Sequence, residues 1–180
     1  PPVDLLVNNA GFSAMGPFTD SAIDDELAMI RLHLDATLVL SRAVLPSMRE
    51  RGSGSIVNVA SVGGFMEAPG VATYGATKAF LVSFTRSLAK ELADSGIQVQ
   101  CLCPGYTRTE IHDIDSMAGF DASRVPEQLW MQVDEVVSAS LSDLRAASAN
   151  PARSPILIPG SHNRDYARGA SQALTQLIGD

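Results

Sequence analysis

The chain has few cysteines, few lysines and no run of basic residues. Its 180 residues include only two cysteines, Cys101 and Cys103, which are too close together in a predicted strand to build a disulfide framework. Lysine and arginine total 13 against 20 acidic residues, giving a formal net charge of −7. Nucleic acids and anionic membranes require a basic surface, so we expect neither as a partner. The cysteine content favours a reducing, cytoplasmic location.

Long apolar segments are also missing. No stretch reaches the roughly 18 apolar residues of a membrane span, and the longest helical pattern, Leu27 to Met48, contains charged residues. The segment from Pro1 to Val7 lacks the basic region and small-residue cleavage site of a signal peptide. With 46% hydrophobic and 18% charged residues, the sequence predicts one domain over residues 1–180.

Strand and helix patterns alternate along the chain. Short apolar runs predict four strands, at residues 3–7, 55–60, 97–103 and 155–159. Apolar residues at helical spacing predict four helices, at residues 21–48, 71–94, 126–147 and 163–178. Residues 106–125 have the composition of a substrate loop. This alternation predicts parallel βαβ units, and hence an open α/β sheet with helices on both faces.

Tyr74 and Lys78 lie four residues apart near the start of the second predicted helix. This spacing places both side chains on one helical face, about one turn apart. A phenol has an ordinary pKa of about 10, and a nearby cation favours its ionised form. Lysine is scarce, Lys90 being the only other one, so we interpret the pair as an acid–base site. The alternative is a surface lysine beside a half-buried tyrosine.

Ser61 precedes Tyr74 by thirteen residues and follows the second predicted strand. Open α/β sheets bind their ligands at the carboxyl ends of strands, where a serine hydroxyl is placed to donate to a substrate carbonyl. A serine at this position also serves as a turn or cap residue. The presence of Tyr74 and Lys78 favours the functional interpretation.

These residues and their surroundings resemble the classical short-chain dehydrogenase/reductase family. Four motifs follow in the family's order: Asn8-Asn9-Ala10-Gly11, Ile56-Val-Asn-Val-Ala-Ser61, Tyr74-x-x-x-Lys78 and Pro104-Gly105-Tyr106-Thr107-Arg108-Thr109. Each motif is short, but four in order are specific together. The resemblance implies a Rossmann-like, doubly wound parallel sheet, truncated to the strands equivalent to 4-5-6-7 with their flanking helices.

The resemblance also implies an activity: hydride transfer between NAD or NADP and a small secondary alcohol or carbonyl compound. Tyr74 would exchange the proton, Lys78 would lower the pKa of Tyr74 and hold the nicotinamide ribose, and Ser61 would polarise the substrate oxygen. Gly11 and Gly105 would leave room for the cofactor. The implied cofactor-binding residues are Asn9, Ala10, Gly11, Tyr74, Lys78, Pro104, Gly105, Thr107 and Thr109.

Two departures from the family pattern affect these expectations. His33 occupies the position of the family's helix asparagine, so it is either a proton relay or a satisfied, partly buried histidine. The family's glycine-rich turn and the residue that selects NAD or NADP precede the part matched here. Leu5, Leu6 and Val7 are therefore expected on an exposed apolar sheet edge, unless an N-terminal portion or another chain covers them.

Other interpretations remain open from the sequence. Ser61 assisted by Tyr74 and Lys78 defines a cofactor-independent esterase, although the chain has no Gly-x-Ser-x-Gly elbow. A catalytically inactive remnant is a third possibility. His112 and His162 lack metal-ligand spacing, so no metal site is predicted. The family's usual contact through its two long helices implies a homodimer or homotetramer.

Overall fold

The computed structural model of the protein describes residues 2–112, 117, 119–147 and 153–178. Within these residues, one sheet contains four parallel strands in sequential order. The strands are β1 (Leu5–Asn8), β2 (Gly54–Val59), β3 (Ile97–Leu102) and β4 (Ile156–Leu157). All four lie within the predicted apolar runs or within one residue of them, and the predicted parallel α/β sheet is confirmed.

The first predicted helix is present, but it is not a continuous α-helix. It consists of α1 (Ile23–Ile30) and α2 (Ala36–Arg51), joined by a π-helical segment over Arg31–Asp35. Gly52 ends α2 in the left-handed conformation, with φ 63°. The helical spacing of the sequence did not indicate the π-helical segment. Its wider turn contains the buried side chain of His33.

The remaining helices are α3 (Ala72–Glu91), α4 (Val133–Ala147) and α5 (Ser161–Ile178). The prediction that α4 begins at residue 126 was wrong. Glu127–Leu129 forms a 3₁₀ turn, and the chain is then extended at Met131, whose N–H donates to the Tyr106 carbonyl at 2.9 Å. The Met131 carbonyl accepts from the Arg108 N–H at 3.0 Å. These non-local bonds hold the segment extended, and α4 begins only after it.

Helices pack on both faces of the sheet because neighbouring strand residues point in opposite directions. Ile56 packs with residues of α2, α3 and β3, namely Met48, Leu88, Leu92, Ile97 and Val99. Val57 faces the other side and packs with Leu102 and the α4 residues Val136 and Leu144. The four strands lie in the sheet in sequence order, and α4 packs on the face opposite to α2 and α3. The crossover through α4 therefore has the opposite hand to the crossovers through α2 and α3.

One edge of the sheet is apolar and exposed. β1 pairs only with β2 among the described strands, and Leu5 and Val7 are 43% and 49% exposed. The predicted exposure is confirmed for Leu5 and Val7, whereas Leu6 is partly buried and packs against the core between the sheet, α2 and α3. None of the described helices combines the length and the apolar character that crossing a membrane requires.

Candidate active site

Three loops meet at the carboxyl edge of the sheet, where the four strands end. The register pairs Asn8 with Asn58 and Val59 with Leu102, so the loops that follow β1, β2 and β3 start side by side. A buried amide chain fixes the start of these loops: Asn8 Nδ2 donates to Asn58 Oδ1 at 2.7 Å, and Asn58 Nδ2 donates to Thr85 Oγ1 at 2.9 Å. The sheet edge is therefore held rigidly against α3.

Ser61 is extended and lies two residues after the end of β2. Its Oγ accepts a hydrogen bond from the Gly63 N–H at 3.1 Å and donates to the Pro104 carbonyl at 3.4 Å. The second bond is long, and bonds of this length are weak. The Ser61 hydroxyl is thus oriented between two loops yet easily redirected to another acceptor.

The structure brings Tyr74 and Lys78 to the same cleft as Ser61. Both project from the first half of α3. Lys78 is 6% exposed; its Nζ donates to the Val59 carbonyl at 3.0 Å and lies 5.5 Å from the centroid of the Tyr74 ring. The alternative interpretation, a surface lysine beside a half-buried tyrosine, is therefore wrong, because Lys78 is buried and hydrogen-bonded to the sheet.

Burial dominates the ionisation of both groups. It raises the pKa of Tyr74, while the nearby Ser61 hydroxyl acts in the opposite direction. Burial lowers the pKa of Lys78 to about 8. The net pKa of Tyr74 rises because desolvation of the phenol is the largest effect, and the Lys78 ammonium is directed to Val59. Tyr74 is therefore protonated at neutral pH. The expectation that Lys78 favours the phenolate stays a prediction.

His33 is buried beside Tyr74, with its ring centroid 6.1 Å from that of the phenol. Its Nδ1 lies 2.8 Å from Thr77 Oγ1, and the Thr77 hydroxyl donates to the Tyr74 carbonyl at 2.8 Å. Since a hydroxyl has one hydrogen, we assign the proton of the His33 ring to Nδ1. Burial, followed by the charge of Lys78, lowers the His33 pKa to about 4. His33 Nε2 is buried and makes no hydrogen bond with the described part of the chain, while the Phe12 main chain raises the His33 pKa against the two larger effects. With the proton on Nδ1, Nε2 is an acceptor.

Most of the predicted cofactor-binding residues line one cleft, whose whole volume is about 1080 Å³. Those that line it are Asn9, Gly11, Tyr74, Lys78, Pro104, Gly105, Thr107 and Thr109. Ala10 does not line the cleft; its side chain is exposed elsewhere. The structure thus gathers the predicted residues, with Ala10 as the exception.

The two glycines of these motifs have a different local role from the one expected. A Cβ at Gly11 would lie 2.6 Å from His33 Nε2, and a Cβ at Gly105 would lie 2.1 Å from Asn163 Oδ1. Asn163 is itself buried and donates from Nδ2 to the Pro159 carbonyl at 2.8 Å. Both glycines therefore leave space for buried protein side chains. That they also leave space for the cofactor stays a prediction.

Sequence reasoning missed part of the cleft wall. Apolar side chains from the loops after the first three strands line it: Phe12, Met15, Met66, Val71, Met117 and Phe120. Met117 and Phe120 belong to the predicted substrate loop, residues 106–125, and the other four were not predicted. No Asp or Glu is among the described residues that line it. For those four residues, the only signal in the sequence was their place in loops at the carboxyl edge of the sheet. Nor do the described residues contain a group of three acidic, histidine or cysteine side chains placed to hold a metal ion.

Comparison with known proteins places this geometry in a family. Residues 1–117 match the short chain dehydrogenase family. The chain is 40% identical over 136 residues to the oxidoreductase UcpA of Escherichia coli strain K12, covering 75% of this chain and 51% of that protein. It is 32% identical to gluconate 5-dehydrogenase of Gluconobacter oxydans, covering 78% of this chain and 56% of that protein.

A solved structure agrees with these matches. A short-chain dehydrogenase from Sphingobium yanoikuyae in complex with NADPH superimposes with a TM-score of 0.78 at 38% identity, covering 96% of this chain and 64% of that one. The chain belongs to the short-chain dehydrogenase family, which confirms the resemblance of its motifs. It spans about half the length of the curated relatives it matches.

Proposed function

We propose that this chain carries the catalytic half of an NAD(P)-dependent oxidoreductase that interconverts a secondary alcohol and a ketone. The observation that carries the proposal is the convergence of Ser61, Tyr74 and Lys78 on one cleft at the carboxyl edge of the sheet. The family membership and the NADPH complex of the Sphingobium yanoikuyae relative support it.

The donors on the cleft fit the nicotinamide half of a dinucleotide. Hydroxyl groups of Tyr74, Thr107 and Thr109 and the ammonium of Lys78 line it, and no described carboxylate does. Ribose hydroxyls and a carboxamide are matched by such donors, and phosphates are repelled by carboxylates. Lys78 and Tyr74 would hold the ribose, and the 104–109 loop would hold the carboxamide. When bound, the cofactor supplies or accepts the hydride.

The protein's own groups supply the proton and stabilise charge on the substrate oxygen. Tyr74, protonated at neutral pH, donates its proton to the oxygen of a ketone during reduction. Ser61 redirects its weakly held hydroxyl from Pro104 to the same oxygen and stabilises its developing negative charge. The Lys78 ammonium, 5.5 Å from the ring centroid, favours the phenolate that remains.

We infer that His33 acts as a neutral hydrogen-bond acceptor rather than as a carrier of protons. A relay through this ring requires it to become an imidazolium, and a pKa of about 4 opposes that at neutral pH. The buried lone pair on Nε2 is placed to accept from a water or a cofactor hydroxyl. Of the two sequence interpretations, we therefore favour the buried histidine over the proton relay.

We do not propose the hydrolase or the inactive remnant. A serine nucleophile requires a base that accepts its proton, yet Ser61 donates to a main-chain carbonyl and Lys78 is engaged with Val59. No observation favours esterase chemistry, and the three intact side chains do not favour a remnant.

A pair of lysine variants tests the proposed function. Lys78→Met keeps the apolar stem and removes the ammonium, and Lys90→Met makes the same change at an exposed position of the same helix. NADPH oxidation by the purified chain with a panel of ketones should fall about 100-fold or more in Lys78→Met. It should be unchanged in Lys90→Met. Equal rates in both variants, or no ketone-dependent oxidation of either NADPH or NADH by the wild type, would refute the proposal.

We further propose that the protein is a homodimer or homotetramer in the cytoplasm. α2 exposes three consecutive apolar side chains, Leu38, Val39 and Leu40, which are 39%, 65% and 47% exposed. Exposed apolar area of this kind favours association. Cys101 and Cys103 are free and buried, as expected in a reducing compartment. A monomeric mass by light scattering across micromolar concentrations would contradict the oligomer, and cell fractionation tests the location.

A further inference from the structure

One part of the cleft is lined by apolar side chains next to the catalytic hydroxyls. Three loops contribute to it, each following a strand. The loop after β1 contributes Phe12 and Met15, and the loop after β2 contributes Met66 and Val71. The segment after β3 contributes Met117 and Phe120, and Met117 is 7% exposed. We call these six side chains the apolar chamber.

Contacts between the loops hold the chamber together. The Gly16 N–H donates to the Gly70 carbonyl at 3.0 Å, which joins the first loop to the second. A Cβ at Gly119 would lie 3.8 Å from Met15 Cβ, so the third segment packs on the first. The Phe120 N–H donates to the Met117 carbonyl at 2.8 Å, and the Phe120 ring packs against the Tyr106 ring at 6.0 Å between centroids. The three loops that carry the chamber therefore contact one another.

A glycine leaves the catalytic hydroxyls open to this wall. A Cβ at Gly63 would lie 3.4 Å from Ser61 Oγ and 3.5 Å from Tyr74 Cε1, in contact with both groups. The absence of that carbon keeps a path between the two hydroxyls and the chamber. Phe12 links the site to the chamber, since its ring centroid lies 6.4 Å from that of His33, which lies 6.1 Å from that of Tyr74.

We propose that the apolar chamber binds a bulky apolar substituent of the ketone or secondary alcohol, which makes hydrophobic ketones the preferred substrate class. This inference rests on the proposed function. In reduction, the carbonyl carbon gains a hydride from NADPH, the oxygen gains the Tyr74 proton, and NADP⁺ and the alcohol are formed. The chamber takes no part in these transfers; it positions the carbonyl carbon.

The six side chains of the chamber disfavour a strongly hydroxylated substituent, since none of them forms a strong hydrogen bond with a hydroxyl that has left water. The polar groups beside them are at the Phe120 end, where the rings of His112 and Tyr106 lie 4.8 Å and 6.0 Å from the Phe120 ring. Arg124 also lines the cleft, but its side chain is 85% exposed and lies 3.5 Å from Asp121. It belongs to the mouth of the cleft and is already paired there.

The methionines suggest how broad the preference is. Three of the six methionines in the chain, Met15, Met66 and Met117, lie in the chamber. Methionine is unbranched and polarisable, so it repacks around ligands of different shape. We therefore expect the chamber to accept several bulky apolar groups in preference to a single one.

Matched ketones test the inference on the purified chain with NADPH. Cyclohexyl methyl ketone, acetone and dihydroxyacetone each contain one ketone carbonyl. They differ in the size and polarity of its substituents. Burial of the ring should raise kcat/KM for cyclohexyl methyl ketone about 10- to 100-fold above that for acetone. Dihydroxyacetone should be no better than acetone. Equal values for the first two, or a preference for dihydroxyacetone, would overturn the inference and leave the proposed function standing.

Two methionine variants locate the effect. Met66→Gln keeps the length of the side chain but places an amide in the chamber, and Met66→Leu keeps the same position apolar. Met66→Gln should lower kcat/KM for cyclohexyl methyl ketone about 10-fold and for acetone less than about 2-fold. Met66→Leu should not change the ratio between the two ketones. An equal loss for both ketones in Met66→Gln would overturn the inference, and no turnover of any ketone by the wild type would refute the proposed function itself.

Discussion

Replacing Gly11 with alanine would place a methyl group against the imidazole of His33. A Cβ at Gly11 lies 2.6 Å from His33 Nε2 and 3.0 Å from His33 Cδ2. His33 is 2% exposed, and its bond to Thr77 Oγ1 at 2.8 Å resists a shift of the ring. Gly11 has no positive φ, so alanine adds no backbone strain. The contact with the imidazole is therefore the whole of the expected effect.

The size of this effect follows from packing and one hydrogen bond. Overpacking a buried site costs about 1–3 kcal/mol, and loss of the bond between His33 and Thr77 adds about 1 kcal/mol. We expect Gly11→Ala to lower the free energy of unfolding by about 2–4 kcal/mol. In a His33→Ala background the same change should cost less than about 0.5 kcal/mol, because the methyl enters space that the ring has left.

Urea unfolding of four proteins measures this coupling: the wild type, Gly11→Ala, His33→Ala and the double variant. Far-ultraviolet circular dichroism reports the transition, and unchanged slopes with urea show that the unfolded states are comparable. A cost of Gly11→Ala that is the same with and without His33 would refute the reasoning. Gly11 would then be a glycine for another reason, such as approach of the cofactor.

Three further predictions concern pH, a loop glycine and the sheet edge. Because burial lowers the His33 pKa to about 4, below its ordinary value of 6.5, the unfolded chain binds more protons between these values. Stability should therefore fall by about 3 kcal/mol as the pH drops from 7 to 4 in urea titrations, and His33→Asn should reduce this loss. Gly64→Ala should lower the melting temperature, since its Cβ would lie 2.8 Å from the main-chain carbon of Lys78; Gly169→Ala, with no atom within 4 Å, is the control and should not lower it. Val7→Lys should slow aggregation measured by light scattering, because Val7 is 49% exposed on the edge strand; an unchanged rate would argue against that edge as the site of association.

Much of the site could be predicted because its residues are close in sequence. Ser61, Tyr74 and Lys78 all belong to one strand–helix unit, β2 and α3. The strand end fixes where Ser61 lies, and the four-residue step fixes the relation of Tyr74 to Lys78. Local patterns of this kind carry geometry directly, and the structure places all three residues on the same cleft.

The features that the sequence did not reveal depend on contacts between distant residues. The fit of Gly11 against His33, and of Gly105 against Asn163, joins segments that no local pattern relates. The start of α4 was misplaced for the same reason, since main-chain bonds between Met131 and the Tyr106 loop keep the chain extended there. The pKa of Tyr74 was expected to fall because charge was considered without burial. Burial is a property of the assembled fold, and it reverses the direction.

The central claim is that Tyr74 supplies the proton in a hydride-transfer reaction. It is tested most directly with NADPH that carries deuterium on the transferring position, a ketone, and either the wild type or Tyr74→Phe. The wild type should place deuterium on the carbinol carbon of the alcohol, as measured by mass spectrometry. Tyr74→Phe should still bind NADPH, as measured by fluorescence, and form the labelled alcohol at least about 100-fold more slowly under saturating NADPH. Labelled alcohol formed at the same rate by both proteins would contradict the account.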